Sequence, residues 1–203
     1  MTKTAMIFKE SLLPAVQELE RARDFFNSKY FNSKLSDIII TIQTKGRKSA
    51  LGWFGANRWK NNKTEPLHEI NISAEHLKVD PIGTLIHELV HAYNHVNKVK
   101  DCSGHQYHNK HFKIEAERVG LIVTYDNRVG YGITTTGSKL RGIIDLEFKL
   151  QDDAFNVFRQ EIQKNKAPTK MKKWVCYCGV IVRCAVELNA KCEDCNSLFE
   201  EVD

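Results

Sequence analysis

Long apolar runs are absent from this sequence. No stretch of about 20 consecutive apolar residues occurs, so we predict no transmembrane helix. The N-terminal stretch MTKTAMIFKESLL lacks the apolar core and the small-residue cleavage site of an export signal. Internal repeats and low-complexity tracts are also missing. These absences argue against membrane-embedded, exported and repeat proteins, and we expect a cytoplasmic protein.

Composition and charge point to a globular protein with an uneven surface. The 203 residues are 42% hydrophobic and 27% charged, which suits one medium domain with a small appendage and, by default, a monomer. Six cysteines in a reducing compartment favour metal binding over disulfides. Residues 174–203 carry a net charge of −4, so the overall +5 leaves +9 on residues 1–173. A basic body is typical of proteins that bind nucleic acid, but also of an ordinary lysine-rich surface.

The spacing of apolar residues predicts an α+β fold. Helices are predicted over residues 11–30, from Pro81 onward, near 109–119 and over 144–162, and strands over 36–44, 50–55 and 68–73. The Gly- and Thr-rich segment 121–140 is predicted to mix strand and loop, a basic turn covers 45–48, and a polar loop covers 56–66. The basic segment 164–173 is predicted to link a domain of residues 1–163 to a cysteine-rich module of residues 174–203.

The helix after Asp80 has the clearest signals. Asp80 is a good N-cap and Pro81 suits the first helical position. Its predicted buried stripe consists of Ile82, Leu85, Ile86, Leu89, Tyr93 and Val96. We therefore expect a capped amphipathic helix through the stretch TLIHELVHAYNH.

Three histidines in that stretch suggest a metal site. His87 and His91 are four residues apart, so both imidazoles can face one ion, and Glu88 beside them can reach a bound water. This His-Glu-x-x-His arrangement is that of zinc peptidases, which need a third protein ligand and an open fourth position. His95 lies two turns after His87 and is expected to be a surface histidine or one that supports the site.

A second histidine cluster, GHQYHNKHF, offers the third ligand. The spacing leaves four candidates, namely His105, His108, His111 and Glu115. It ranks His108 modestly ahead of the other three. We expected His108 at the start of the next helix, where its side chain is held rigidly, whereas His105 follows a Ser-Gly pair. Nearby Cys102 is expected to be a free thiol rather than a ligand.

Together, HELVHAYNH and YHNKHFKIEAERVGL resemble the SprT-like family of zinc metalloproteases, to which Spartan belongs. The form YHNK is closer to bacterial and phage members than to animal ones, although Asn109 stands where the family often has glycine. In that family the third histidine lies in a His-x-x-x-Phe pattern, here His108 to Phe112, so the resemblance implies His108 as the third ligand. It also implies a zincin-like protease domain, a sheet before the metal helix and often a zinc ribbon after the domain.

The C-terminal module has the ligands for a structural zinc ion. Cys176, Cys178, Cys192 and Cys195 form two pairs, and four thiolates close a tetrahedral zinc shell. The first pair has only one intervening residue where ribbons usually have two, so Cys184 is an alternative ligand, although a strand position suits it better. Trp174 is expected to pack in the small core rather than stack on a base.

We therefore expect a zinc endopeptidase with Glu88 as general base, one catalytic zinc ion and one structural zinc ion. The resemblance implies cleavage of proteins bound or crosslinked to single-stranded or damaged DNA. Basic loops at 45–48 and 58–63, the latter with Trp59, are candidate DNA contacts. Two alternatives remain open, a DNA-independent peptidase and a nucleic-acid-binding zinc protein without catalysis.

Overall fold

The computed structural model describes residues 10–35, 38–44, 50–60, 62, 66–103, 106–160 and 171–202. The chain divides into two compact units, residues 1–161 and 162–203, and both helices and small sheets are present. Within the described ranges, no helix is long and apolar enough to cross a membrane.

The first unit contains a three-stranded sheet with the order β1-β3-β2. Its strands are β1 (Ile38–Gln43), β2 (Gly52–Trp59) and β3 (Leu67–Ser73). Strands β1 and β3 are parallel, whereas β2 and β3 are antiparallel. Alternating isoleucines of β1 and β3 are buried on one face, as expected for strands that cover a core: Ile38, Ile40, Ile70 and Ile72.

Strand β2 extends beyond the predicted one. The sequence predicts a polar loop from Ala56, whereas the strand continues to Trp59. Polar side chains are tolerated there because β2 is an edge strand whose last residues are exposed. A bulge between Gly55 and Trp59, with Asn57 at φ 54°, accommodates the irregular pattern. The predicted turn at 45–48 lies outside the described residues.

Helices α1 (Leu13–Phe31) and α2 (Pro81–Val96) pack with the sheet. Helix α1 carries a proline in its first turn, as predicted, and ends at Asn32 in the left-handed conformation. Helix α2 begins as predicted, because the Asp80 carboxylate accepts a hydrogen bond from the Gly83 amide (3.0 Å). Four members of its predicted stripe are fully buried: Ile82, Leu85, Ile86 and Leu89. Val96 is exposed, because the last turn extends past the core.

Helix α3 (Lys110–Arg118) leads into a hairpin of β4 (Leu121–Asp126) and β5 (Gly130–Thr136). The Asn109 side chain caps α3 by accepting hydrogen bonds from the His111 and Phe112 amides. In the hairpin, Leu121 pairs with Thr136. The Gly- and Thr-rich segment is therefore largely strand, and helix begins again before residue 140. This hairpin supplies one side of the site described below.

The long helix predicted over residues 144–162 is wrong. Helix α4 (Ser138–Ile143) continues as a π-helical segment (Ile144–Phe148), and a separate 3₁₀ turn spans Asp152–Phe155. Lys149 is in the left-handed conformation and ends the helix. The Arg21 guanidinium donates hydrogen bonds to the carbonyl oxygens of Phe148 (2.9 Å) and Lys149 (3.1 Å). In a longer helix these two oxygens would accept from later backbone amides, so Arg21 replaces those hydrogen bonds.

The second unit is a small antiparallel sheet with the order β7-β6-β8. Its strands are β6 (Lys172–Val175), β7 (Ile181–Cys184) and β8 (Glu200–Val202). Lys172 and Lys173, which the sequence predicts to be linker, belong to β6, because both pair with β7 and Lys173 also pairs with β8. Of the hydrophobic residues described in this unit, three are buried, namely Trp174, Cys176 and Cys192. So small a core leaves most of the folding free energy to come from another source.

Candidate metal centres

Three imidazoles converge on one point in the first unit. His87 and His91 lie one turn apart on α2 with ring centroids 5.1 Å apart, and the ring of His108 lies 5.2 Å and 4.9 Å from them. One ring nitrogen from each residue lies within 4.8 Å of the others. The prediction that His108 starts a helix is wrong, because α3 begins at Lys110. His108 precedes α3 in an extended segment that bridges to Gly130 of β5 and to Cys102.

Phe112 forms the base of this histidine cluster. Its side chain is fully buried, and each of the three imidazole centroids lies 4.6 Å from the centre of its ring. One aromatic ring on the first turn of α3 therefore contacts all three imidazoles. The His-x-x-x-Phe spacing therefore has a structural role, because Phe112 packs α3 against the histidines of α2.

The Nδ1 atoms of the three histidines are already engaged. His91 Nδ1–H donates to Asp101 Oδ2 (2.7 Å), and His108 Nδ1–H donates to the Val129 carbonyl oxygen (3.2 Å). His87 Nδ1 lies 2.9 Å from Thr134 Oγ1. A carboxylate and a carbonyl oxygen only accept hydrogen bonds, so His91 and His108 are protonated on Nδ1 when neutral.

The remaining ring nitrogens have the chemistry of metal ligands. With Nδ1 protonated, Nε2 of His91 and Nε2 of His108 each present a lone pair, and these two atoms lie 3.1 Å apart. Two facing lone pairs repel unless a cation or a proton lies between them. Zinc binds imidazole nitrogens at about 2.0–2.1 Å, which places tetrahedral ligand atoms about 3.3 Å apart. The histidine cluster therefore fits a zinc ion.

Burial disfavours the charged forms of His87 and His108. Burial, and then the charges of His91 and His108, lower the pKa of His87 well below its usual range. Burial, and then the charge of His91, lower the pKa of His108 to about 4. Burial opposes ionisation of Asp101, but the hydrogen bond and charge of His91 outweigh it, so the Asp101 pKa is lowered. Near neutral pH the imidazoles of His87 and His108 are therefore uncharged, and Asp101 is a carboxylate.

Glu88 lies on α2 beside the histidine cluster and is 5% exposed. Strand β2 approaches it closely at Gly52: a Cβ atom there would lie 3.3 Å from Glu88 Oε1 and 2.8 Å from the Thr84 methyl group. Glycine at this position lets the backbone of the edge strand lie directly against the helix that carries Glu88. The carboxylate is therefore buried against the edge strand.

Four cysteines converge in the second unit. The sulfur atoms of Cys176, Cys178, Cys192 and Cys195 lie within 4.8 Å of one another. Cys176 Sγ and Cys178 Sγ are 3.2 Å apart, and Cys178 Sγ and Cys192 Sγ are 3.6 Å apart. Zinc–sulfur bonds of about 2.3 Å place tetrahedral sulfurs about 3.8 Å apart, so the cluster fits a zinc ion.

Each cysteine pair lies on a tight turn. Gly179 (φ 87°) and Asn196 (φ 55°) are left-handed, and their amides donate to the carbonyl oxygens of Cys176 (2.9 Å) and Cys192 (2.8 Å). The hydroxyl of Ser197 donates to Cys195 Sγ (3.0 Å), and this hydrogen bond lowers the Cys195 pKa to about 6. One thiol of the cluster is therefore ready to ionise near neutral pH, as metal binding requires.

Most of the first unit matches a known protein family. A sequence model of the SprT-like family matches residues 19–135, which is more than half of the chain and includes all three histidines of the cluster. The chain belongs to the SprT-like family. A search of the curated proteins found no match. The matched range ends at β5, so the SprT-like match includes the Thr134 contact and does not extend to the cysteine cluster.

Other candidate ligands in this SprT-like chain are placed differently. His105 lies outside the described residues. His111 is exposed, and Glu115 pairs with Arg118 (2.6 Å). His95 is exposed and packs against the rings of Phe54 and His68.

The two remaining cysteines also lie apart from the four-cysteine cluster. Cys184 lies on β7 and donates to the Val186 carbonyl oxygen (3.0 Å). Cys102 has a ligand atom within 4.8 Å of those of His91 and Asp101. Burial, and then the charges of Asp101 and Glu88, raise its pKa to about 12, so this thiol stays protonated at neutral pH.

Sequence reasoning missed the residues that support the histidines. Asp101 contacts His91, Thr134 contacts His87, and a Cβ atom at Gly132 would lie 2.5 Å from His108 Nδ1. The one available signal was the alternation of small residues in GYGITTT, which places Gly130, Gly132, Thr134 and Thr136 on one face of a strand. In this SprT-like chain that face of β5 lies against the histidines, and Thr136 donates to the capping residue Asp80 (2.6 Å).

Proposed function

We propose that this SprT-like chain is a zinc-dependent endopeptidase with a zincin-like catalytic domain. The observation that carries this proposal is the convergence of His87, His91 and His108 beside the buried carboxylate of Glu88. Three neutral imidazoles form a ligand set that leaves one position of a tetrahedral ion open for water or substrate. A purely structural ion needs no such opening, and it has no use for a carboxylate beside it.

The proposed chemistry divides between the metal and Glu88. Zinc, when bound, supplies a Lewis acid that acidifies a water molecule and polarises the scissile carbonyl group. The carboxylate of Glu88 accepts the proton of the attacking water and then delivers it to the departing amide nitrogen. His87, His91 and His108 hold the ion, and the hydrogen bonds on their Nδ1 atoms fix their ring orientation.

A structural zinc ion in the second unit completes the proposal. The four cysteine sulfurs form a closed ligand set, and the few buried residues of this unit make a metal a reasonable source of its folding free energy. We further propose that the second unit, from β6 onward, is a zinc ribbon.

We propose DNA-associated proteins, including proteins crosslinked to DNA, as substrates. The support is the net charge of +9 on residues 1–173 together with the exposed end of β2, where Arg58, Trp59 and Lys60 are all solvent-accessible. Cationic side chains bind phosphates, and an exposed tryptophan can stack on an unpaired base. The basic turn at 45–48 and part of the 58–63 loop lie outside the described residues.

The test is proteolysis of a basic protein bound to DNA, with and without single-stranded DNA. Wild type is compared with Glu88→Gln and with Glu117→Gln, a control in which an exposed α3 carboxylate that pairs with Lys113 is neutralised. We expect cleavage that requires Glu88 and DNA and that is unaffected by the control substitution. Cleavage that ignores DNA would favour a general peptidase. No cleavage by the zinc-loaded wild type would favour a non-catalytic zinc protein.

A further inference from the structure

Asp101 lies in the loop between α2 and α3 and contacts the histidine cluster from behind. Its Oδ2 atom accepts hydrogen bonds from His91 Nδ1 (2.7 Å) and from Asn94 Nδ2 (3.1 Å). The backbone carbonyl oxygen of Asp101 accepts from the Asn109 amide (2.9 Å), and the Asn109 side chain donates to the Lys100 carbonyl oxygen (2.8 Å). The carboxylate is therefore held in place independently of any metal.

Among the described residues, no lysine or arginine pairs with the Asp101 carboxylate. Its side chain is 15% exposed, the His91 side chain is 12% exposed, and the contact between them is an ion pair only when His91 is protonated. A carboxylate in so confined a position is costly unless a positive charge balances it. A cation on the far side of the His91 ring would provide that charge, because the imidazole links the carboxylate to the ion through its two nitrogens.

We propose that Asp101 is a positioning residue for metal binding, which rests on the proposed function of the histidine cluster. By accepting a hydrogen bond from Nδ1–H, Asp101 holds His91 in the tautomer whose Nε2 lone pair faces Nε2 of His108. It also holds the His91 ring in the plane in which Nδ1 contacts Asp101 and Nε2 faces His108. The hydrogen bond makes Nε2 a stronger electron donor to a metal. Without Asp101, the proton of a neutral His91 can move to Nε2, where it blocks the metal.

Thr134 provides a comparison within the same histidine cluster. Its hydroxyl contacts His87 Nδ1 at 2.9 Å but carries no charge. A hydroxyl both donates and accepts, so it does not select a tautomer as a carboxylate does. Loss of the Thr134 hydroxyl should therefore affect the orientation of His87 more than its protonation, and it should weaken zinc binding less than loss of Asp101.

The experiment uses the full-length chain and measures zinc affinity by competition with a chelator. Asp101→Ala removes both hydrogen bonds and the charge. Asp101→Asn retains an oxygen that can accept both hydrogen bonds, so it removes mainly the charge. Asp145→Ala is the matched control, because Asp145 is exposed on the π-helical segment. We expect Asp101→Ala to weaken zinc binding at the histidines by about 10- to 100-fold, Asp101→Asn to weaken it less, and the control to leave it unchanged.

A second measurement separates positioning from a general structural role. Long-range ¹H–¹⁵N correlation spectra of the metal-free protein report which nitrogen of His91 carries the proton. We expect Nδ1–H in wild type and in Asp145→Ala, and a shift towards Nε2–H in Asp101→Ala. Unchanged zinc affinity in a folded Asp101→Ala protein, or a wild-type His91 that is protonated on Nε2, would overturn the proposal.

The outcomes also distinguish this proposal from the proposed peptidase activity. If wild type binds zinc but never cleaves protein, while Asp101→Ala weakens zinc binding, Asp101 positions a metal ligand in a non-catalytic protein. If wild type cleaves protein in a Glu88-dependent manner while Asp101→Ala binds zinc normally, the peptidase function stands and the role of Asp101 is refuted.

Discussion

Replacing Gly132 by alanine should disrupt the histidine cluster through one added methyl group. A Cβ atom at this position would lie 2.5 Å from His108 Nδ1 and 2.8 Å from its Cε1 atom. Ordinary van der Waals contact begins near 3.4 Å, so the imidazole must move by about 0.9 Å. The movement would also disturb the hydrogen bond from His108 Nδ1 to the Val129 carbonyl oxygen (3.2 Å).

A displacement of this size matters because zinc–ligand distances are held to within about 0.2 Å. We expect zinc affinity to fall at least about tenfold, equivalent to about 1.4 kcal/mol of binding free energy. A misplacement of about 1 Å near the reacting groups can reduce turnover by about 100-fold, and we expect a loss of that order in kcat/KM. Zinc titration and a peptidase assay on the same preparation measure both effects.

The matched control is Gly142→Ala. Gly142 lies in α4, and a Cβ atom there would meet no atom within 4 Å. The same chemical change should therefore be neutral for zinc binding, and it should stabilise the helix by up to about 1 kcal/mol. Wild-type zinc affinity and wild-type turnover in Gly132→Ala would refute the reasoning, because they would mean that β5 does not restrain His108.

Two further predictions concern pH and the cysteine cluster. Burial lowers the pKa of His108 to about 4 and that of His87 well below its usual range. In the unfolded chain both histidines titrate near 6.5. As pH falls, protons therefore bind the unfolded chain first, which lowers the free energy of unfolding. The melting temperature of the metal-free protein should therefore fall between about pH 6.5 and pH 4, and a constant or rising value would contradict the burial argument. Cys192→Ser should lower the zinc content from two ions per chain to one, whereas Cys184→Ser should leave it at two, as measured by elemental analysis. Equal losses in the two variants would mean that Cys184 is a ligand.

Local signals were sufficient to predict α2 and two members of the histidine cluster. The Asp80 cap, Pro81 and the apolar spacing all act within one helix, so sequence reasoning placed its start correctly. The four-residue spacing of His87 and His91 then implied that they share a face.

The missed features depend on contacts between distant parts of the chain. The helix after Ile143 ends at Lys149 partly because Arg21, more than 120 residues away, donates to the carbonyl oxygens at its end. Thr134 meets His87 across 47 residues, and no local pattern specifies that contact. The alternation of Gly132 and Thr134 predicts a strand face, but only the packed fold shows which side chains that face meets.

The placement of β5 also bears on the order of events during synthesis. His87 and His91 leave the ribosome together on one helix, whereas Gly132 and Thr134, which hold His108 and His87, emerge more than 40 residues later. A nascent chain that ends before β5 therefore lacks the Thr134 contact that restrains the His87 ring and the strand that lies against His108, whereas Asp101 can already restrain His91. If the histidine cluster binds zinc as we propose, a ribosome-bound chain truncated before residue 130 should bind it more weakly than the complete β4–β5 hairpin allows.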